Sequence, residues 1–203
     1  VAFLHIRCVR LKIHRLKTVK SHANSTIYAG QTFLMLTTGA DTGAAFTGTT
    51  NNDTFNAAEP TAVTWTVADK IDGGAGNDTF NVTQAAAITV PTGATVSNIE
   101  TVNLTSGAAI TVDASSGFSG LTTLNATSKS TAGSTTLTAA STTNVISTEA
   151  DLKASGTSQL VINGGKDITV SAKGTTTQAT ALNATTGANA EISVGATSAA
   201  AGA

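Results

Sequence analysis

No aromatic ring follows Phe118, so the whole of Ser119 to Ala203 must fold without one. Between Leu121 and Ala150, most positions are held by Thr, Ser, Ala or Gly. A conventional globular core needs larger side chains than these. A chain of this kind either stays disordered or stacks short strands so that each turn buries a few small aliphatic groups. Thr, Val and Ile favour strands, and turn residues interrupt them at intervals, which points to stacked strands.

The apolar clusters of the second half set the rhythm. They are Ile99-Val102-Leu104, Ile110-Val112, Leu121-Leu124, Leu137, Val145-Ile146, Leu160-Val161-Ile162, Ile168-Val170, Leu182 and Ile192-Val194. Alternation with period two occurs in Ile110-Thr-Val112-Asp and Ile168-Thr-Val170-Ser, and helical spacing is sustained nowhere in this half. Two all-β architectures fit. One is a right-handed parallel β-solenoid, a β-helix or β-roll with irregular coils, carrying Val, Ile or Leu inside and Thr and Ser ladders outside. The other is an antiparallel β-sandwich, which wants larger residues to fill the space of about 10 Å between its sheets. The solenoid is preferred.

Three zones divide the chain: an atypical basic segment over 1–30, a zone of turns over 31–93, and Thr/Ala/Ser/Gly-rich coils over 94–203. Residues 1–20 hold six of the eleven basic residues and no acid. From residue 21 onward five lysines face twelve acids, a balance of 5 − 12 = −7. That body offers no basic face to nucleic acid. The chain's single cysteine, Cys8, lies outside that body and forbids an internal disulfide. No stretch approaches the roughly 18 apolar residues of a membrane-spanning helix. The chain begins with Val1, and residues 1–25 look foreign to the rest, so a fragment is expected, truncated at the C-terminus.

Gly73-Gly74-Ala75-Gly76-Asn77-Asp78-Thr79-Phe80-Asn81 fits the nonapeptide G-G-x-G-x-D-x-U-x at every fixed position, with Phe80 as the large apolar residue. Calcium takes about six to eight oxygen ligands. Glycines open backbone conformations in which carbonyls can face a cation, and Asp78 adds a carboxylate. One nonapeptide gives half a cage. Gly48 to Asn56 (GTTNNDTFN) supplies the partner, and the two share Asn-Asp-Thr-Phe-Asn at 52–56 and 77–81. Two uninterrupted nine-residue units would set the copies only about 18 positions apart, so Ala57 to Ala68 is expected to loop out or form an irregular coil. The candidate ligands are Asp53, Asp72 and Asp78, with Gly48, Thr50, Gly73, Ala75 and Gly76. Asp41 and Asp69 are further carboxylates within reach. The same residues also suit a hairpin turn with no metal, and Asp167, after Gly164-Gly165, reads as such a turn.

Leu36 to about Asn125 resembles the repeats-in-toxin (RTX) surface-layer proteins of Gram-negative bacteria, such as those of Caulobacter and Campylobacter. The residues carrying the resemblance are LTTGAD at 36–41, NDTFNA at 52–57, DKIDGGAGNDTFNVTQAAAITVPTG at 69–93 and VSNIETVNLTSGAAITVDASSG at 96–117. The resemblance implies a β-solenoid body, calcium-dependent folding, type I secretion to the cell surface and self-association in an extracellular lattice. It also implies anchoring to cell-surface polysaccharide through regions outside this sequence. An RTX adhesin stalk gripping a cell-surface or glycan ligand is the alternative. An enzyme is not expected: no histidine follows His22, there is no His-Glu-x-x-His, and Gly117-Phe118-Ser119-Gly120 misses the nucleophile-elbow spacing.

Overall fold

The computed structural model describes residues 25–28, 30–58, 62–129, 135–152, 160–174 and 192–195. Most of the basic segment and the cluster at Leu182 lie outside the described residues. In chain order the strands are β1 (Ser25–Tyr28), β2 (Gln31–Met35), β3 (Thr54–Ala58), β4 (Lys70–Asp72), β5 (Thr79–Gln84), β6 (Ile88–Thr89), β7 (Thr95–Ser97) and β8 (Thr101–Ser106). There follow β9 (Ile110–Asp113), β10 (Thr123–Ser128), β11 (Thr135–Ala139), β12 (Asn144–Leu152), β13 (Leu160–Gly164), β14 (Ile168–Gly174) and β15 (Ile192–Gly195). The helical content of the described residues is one 3-10 turn, Gly43–Phe46.

The strands stack as a parallel β-solenoid. Its large sheet has the order β1-β2-β3-β5-β8-β10-β12-β14, its second sheet β15-β13-β11-β9-β6, and its third is the pair β4-β7. Among the described residues every pairing is parallel except β1 with β2, which is antiparallel. The sandwich alternative is therefore set aside.

The reason lies in alternation. In β8 and β10 every second residue is buried, and the buried residues of successive strands fall directly over one another. One inward column runs Leu34, Phe55, Phe80, Val102, Leu124, Val145, Ile168. Each step along it is one turn of the solenoid, and the step from Phe55 to Phe80 is the longest. The second sheet contributes Ile88, Ile110, Val112, Leu137, Leu160 and Ile162 from the opposite side. Trp65 fills the wide early coils, edge-on to Phe80 at 5.4 Å and to Phe118 at 6.4 Å.

Of the two expectations for Ala57 to Ala68, a loop or an irregular coil, the structure favours the coil: the two Asn-Asp-Thr-Phe-Asn copies stand one full turn of the solenoid apart. Each early coil has three sides, so Ala57 and Ala58 complete β3 and Trp65 enters the core. One expectation, that of serine in the outward ladders, is corrected. Ser106, Ser128 and Ser147 are buried, Ser128 and Ser147 beside Glu149, while the outward ladder of the large sheet from β5 to β10 is built of Thr and Asn, and Ser171 joins it only in β14. Ser106 and Ser128 donate to the carbonyls of Ala86 and Ala108, satisfying hydroxyls that burial would otherwise leave costly. The Asp167 turn expectation holds: Asp167 lies in the bend between β13 and β14, in an exposed ion pair with Lys166 at 3.9 Å.

A candidate cation site at the stacked acidic turns

The two Asn-Asp-Thr-Phe-Asn segments lie in adjacent coils with Phe55 paired to Phe80 and Asn56 to Asn81. Both turns occupy the corner that leads from the short third side of the coil into the large sheet. They are tied to each other by Thr79 N–H to the Asp53 carbonyl (2.9 Å) and Ala75 N–H to the Thr49 carbonyl (3.1 Å). Gly48 N–H donates to the Asp72 carbonyl and Gly73 N–H to the Ser97 carbonyl. Close approach explains the glycine at 73: a Cβ there would lie 1.9 Å from the Asn98 carbonyl oxygen and 2.6 Å from Asp78 Oδ2. Gly76 adopts φ +134°, which L side chains rarely reach. Thr50, Ala75 and Gly76 sit exposed at the tips, while Gly73, Asp53 and Asp78 are buried and Asp72 is half-buried.

The acids form a chain along the solenoid axis, each carboxylate reaching one coil back to a backbone N–H. Asp53 Oδ1 accepts from Thr32 N–H (2.5 Å), Asp78 Oδ1 from Asp53 N–H (2.6 Å) and Glu100 Oε2 from Asp78 N–H (2.6 Å). Such bonds to charged acceptors are among the stronger ones available to a corner with few other contacts.

The two aspartates differ at their second oxygen. Asp53 Oδ2 accepts from the N–H and hydroxyl of Thr49, at 2.5 and 2.9 Å. Asp78 Oδ2 is buried with no hydrogen-bond partner, and Asp78 is 1% exposed. Gly74 stands where Thr49 stands one coil earlier. It brings no hydroxyl, and its N–H donates to Asp72 Oδ1 instead (3.1 Å). Burial foremost pushes the Asp78 carboxyl up to about 6. The Asp53 N–H opposes this, and the charges of Asp53, Glu100 and Asp72 add to it.

No protein-family model matches the chain, and no curated protein matches it. The fit to a cation therefore rests on the geometry alone. In favour stand a buried, unpartnered carboxylate oxygen, three further acids within electrostatic reach, and glycines where a Cβ would fill the corner. Among the described residues no three His, Cys, Asp or Glu side chains converge as a metal-holding group, so side chains alone would not hold a cation here.

Glu100 escaped the sequence reading because its coil turns through Asn98-Ile99 with no glycine signature. Asp41 and Asp69 form a separate pair: Asp41 N–H donates to Asp69 Oδ1 at 2.8 Å, Thr66 caps Asp69 and Thr37 caps Asp41. Burial foremost raises the Asp69 carboxyl as well. Among the described residues no helix is long and apolar enough to cross a membrane.

Proposed function

We propose that this chain is a segment of a secreted structural protein whose solenoid is stabilised by calcium at the Asp78 corner and which contributes to a self-assembling surface lattice. The observation carrying the reading is the buried Asp78 Oδ2, an acceptor without a donor. Leaving such a group unpaired costs about 1–3 kcal/mol, and a cation at this corner removes that cost while neutralising the acids around it. Asp78 and Asp72, with backbone oxygens of Gly73, Ala75 and Gly76, are the residues that would hold it. Asp53, Gly48 and Thr50 build the coil beneath. Thr49 already satisfies Asp53, so the geometry supports one principal site.

The extracellular, calcium-linked reading also fits a body without disulfides, in which metal binding is coupled to folding. Circular dichroism of the chain in calcium and in chelator tests it. Calcium at about 100 times its Kd should add about 2.7 kcal/mol of stability, seen as a higher Tm, and Asp78→Asn should lose that gain while keeping the β-signal. Equal Tm in calcium and chelator would sink the proposal. The lattice half is tested by electron microscopy: ordered sheets should form in calcium and be absent in chelator.

A further inference from the structure

The third side of the solenoid stops partway along it. Its inward column runs Ile71, Val96, Phe118, paired across β4, β7 and the single bridge from Val96 to Phe118. Ile71 and Val96 are each 1% exposed, whereas Phe118 is only half-buried. The register explains the difference. Val112 and Leu124 stand 124 − 112 = 12 positions apart, which leaves room for a third side between the two larger sheets. The equivalent residues one coil on, Leu137 and Val145, stand 145 − 137 = 8 apart, and the chain turns directly from β11 into β12 through Ala140 to Thr143. Among the described residues no strand covers the far side of Phe118.

The lost third side leaves a cavity of about 280 Å³ between the two coils. Phe118, Leu121 and Ala140 give it apolar walls, Ser115, Thr122 and Thr143 add hydroxyls, and no charged residue lines it. Those hydroxyls already donate, Ser115 to Asp113 Oδ1 at 2.5 Å, and Thr122 and Thr143 to the carbonyls of Glu100 and Leu121 at 3.0 Å. The open hydrogen-bonding capacity lies in the backbone. Val96 N–H donates to the Gly117 carbonyl and Ser119 N–H to the Val96 carbonyl, each at 2.9 Å. A parallel bridge of this kind uses the neighbours of the opposing residue. The N–H and C=O of Phe118 itself therefore face away from Val96, toward the place of the next rung. Among the described residues neither has a hydrogen-bond partner.

We infer that this notch takes an extended peptide segment as the missing rung of the third side, its backbone pairing with the Phe118 N–H and C=O and one apolar side chain seated on the Phe118 ring. This is strand addition to a sheet edge, in which main-chain bonds give attachment and a side-chain pocket gives selectivity. The rungs below define the occupant's chemistry. Lys70-Ile71-Asp72, Thr95-Val96-Ser97 and Gly117-Phe118-Ser119 each hold one apolar residue between small or polar neighbours. The cavity is smaller than the roughly 300–1,000 Å³ of small-molecule pockets, which suits a single side chain. One rung is a small contact, so a free peptide should bind only in the millimolar range, held back by the entropy of association. The inference stands on the shape of the coils and not on the cation corner.

An NMR titration of the isotope-labelled full chain in calcium tests it, with the blocked peptide Ala-Thr-Val-Ser-Asn, the sequence of residues 94–98, added to several millimolar. Saturable shifts should be confined to residues 114–122 and 140–143. The Phe118 N–H signal should move as its hydrogen bond forms, and its exchange with solvent should slow. A peptide with aspartate in place of valine should give no saturable shift, because a carboxylate buried on the ring would be left unpaired. Thr142 lines the cavity from an exposed turn position, so Thr142→Phe should block the peptide while leaving Tm unchanged. The inference is overturned if the valine peptide gives no saturable shift, if the aspartate peptide binds as well, or if the shifts spread over the large sheet. Binding to Thr142→Phe as strong as to wild type overturns it too. So does a neutral oligosaccharide, maltotriose, that moves the same signals, which would assign the notch to a sugar.

Discussion

Two single residues show how little space this fold leaves at its corners and in its core. Gly73→Ala would drive a methyl group into the Asn98 carbonyl, a backbone atom that cannot step aside. We expect a loss of about 2–4 kcal/mol, in the range of overpacked core sites, measured by urea unfolding with and without calcium. Glu149 is 3% exposed among Ser128, Thr135 and Ser147, and burial foremost raises its carboxyl above the ordinary 4.5. A raised folded value means the folded state holds the proton more tightly than the unfolded chain does. Its contribution to stability is greatest in acid, begins to fall as pH passes about 4.5, and is lost once pH exceeds the raised folded value. Glu149→Gln should therefore equal wild type near pH 4 and exceed it at pH 7, as read from Tm against pH. A wild-type advantage at pH 7 would show that the carboxylate has an ionic partner there.

At the level of elements, each rung depends on the one before it. Asn103 is an inner rung, bonded to Asn81 beneath and Asn125 above. Asn103→Ala removes two hydrogen bonds of about 0.5–1.5 kcal/mol each, so a loss of about 1–3 kcal/mol is expected. Asn56→Ala removes one bond and should cost about half as much, and a chemical denaturation series compares the two directly. The elements also show why the sequence was legible in some places and opaque in others. Ile110-Thr-Val112 announced its strand because alternation was unbroken and both apolar residues are buried. In β12 the neighbouring Val145 and Ile146 looked like one apolar cluster, yet Val145 is buried and Ile146 is exposed. Strand phase there is set by pairing to Leu124 in another coil, and nothing within the strand records it. The stacked turns were readable from their shared Asn-Asp-Thr-Phe-Asn, but their spacing was not, because coil length depends on how many sides a coil has. Glu100 was hidden for a related reason: a carboxylate reaching back one coil leaves no local pattern.

The whole molecule is a row of coils in which each contacts chiefly its neighbours, and its stability should behave as a sum of coil and interface terms. Leu104→Ala, in the middle of the row and 1% exposed, should cost about 2–5 kcal/mol. Hydrogen exchange should then quicken most in β5, β8 and β10 and least in β14, whereas uniform quickening would mean that the chain unfolds as one block. Trp65, wedged edge-on between Phe80 and Phe118, has a consequence of its own here. It is the chain's one tryptophan, so nature has placed a lone fluorophore in the coil that joins the two acidic turns. Its emission records the melting of that neighbourhood while far-ultraviolet dichroism averages over every strand. Two curves that fail to coincide would show the stack fraying from one end, and their separation would say which end lets go first.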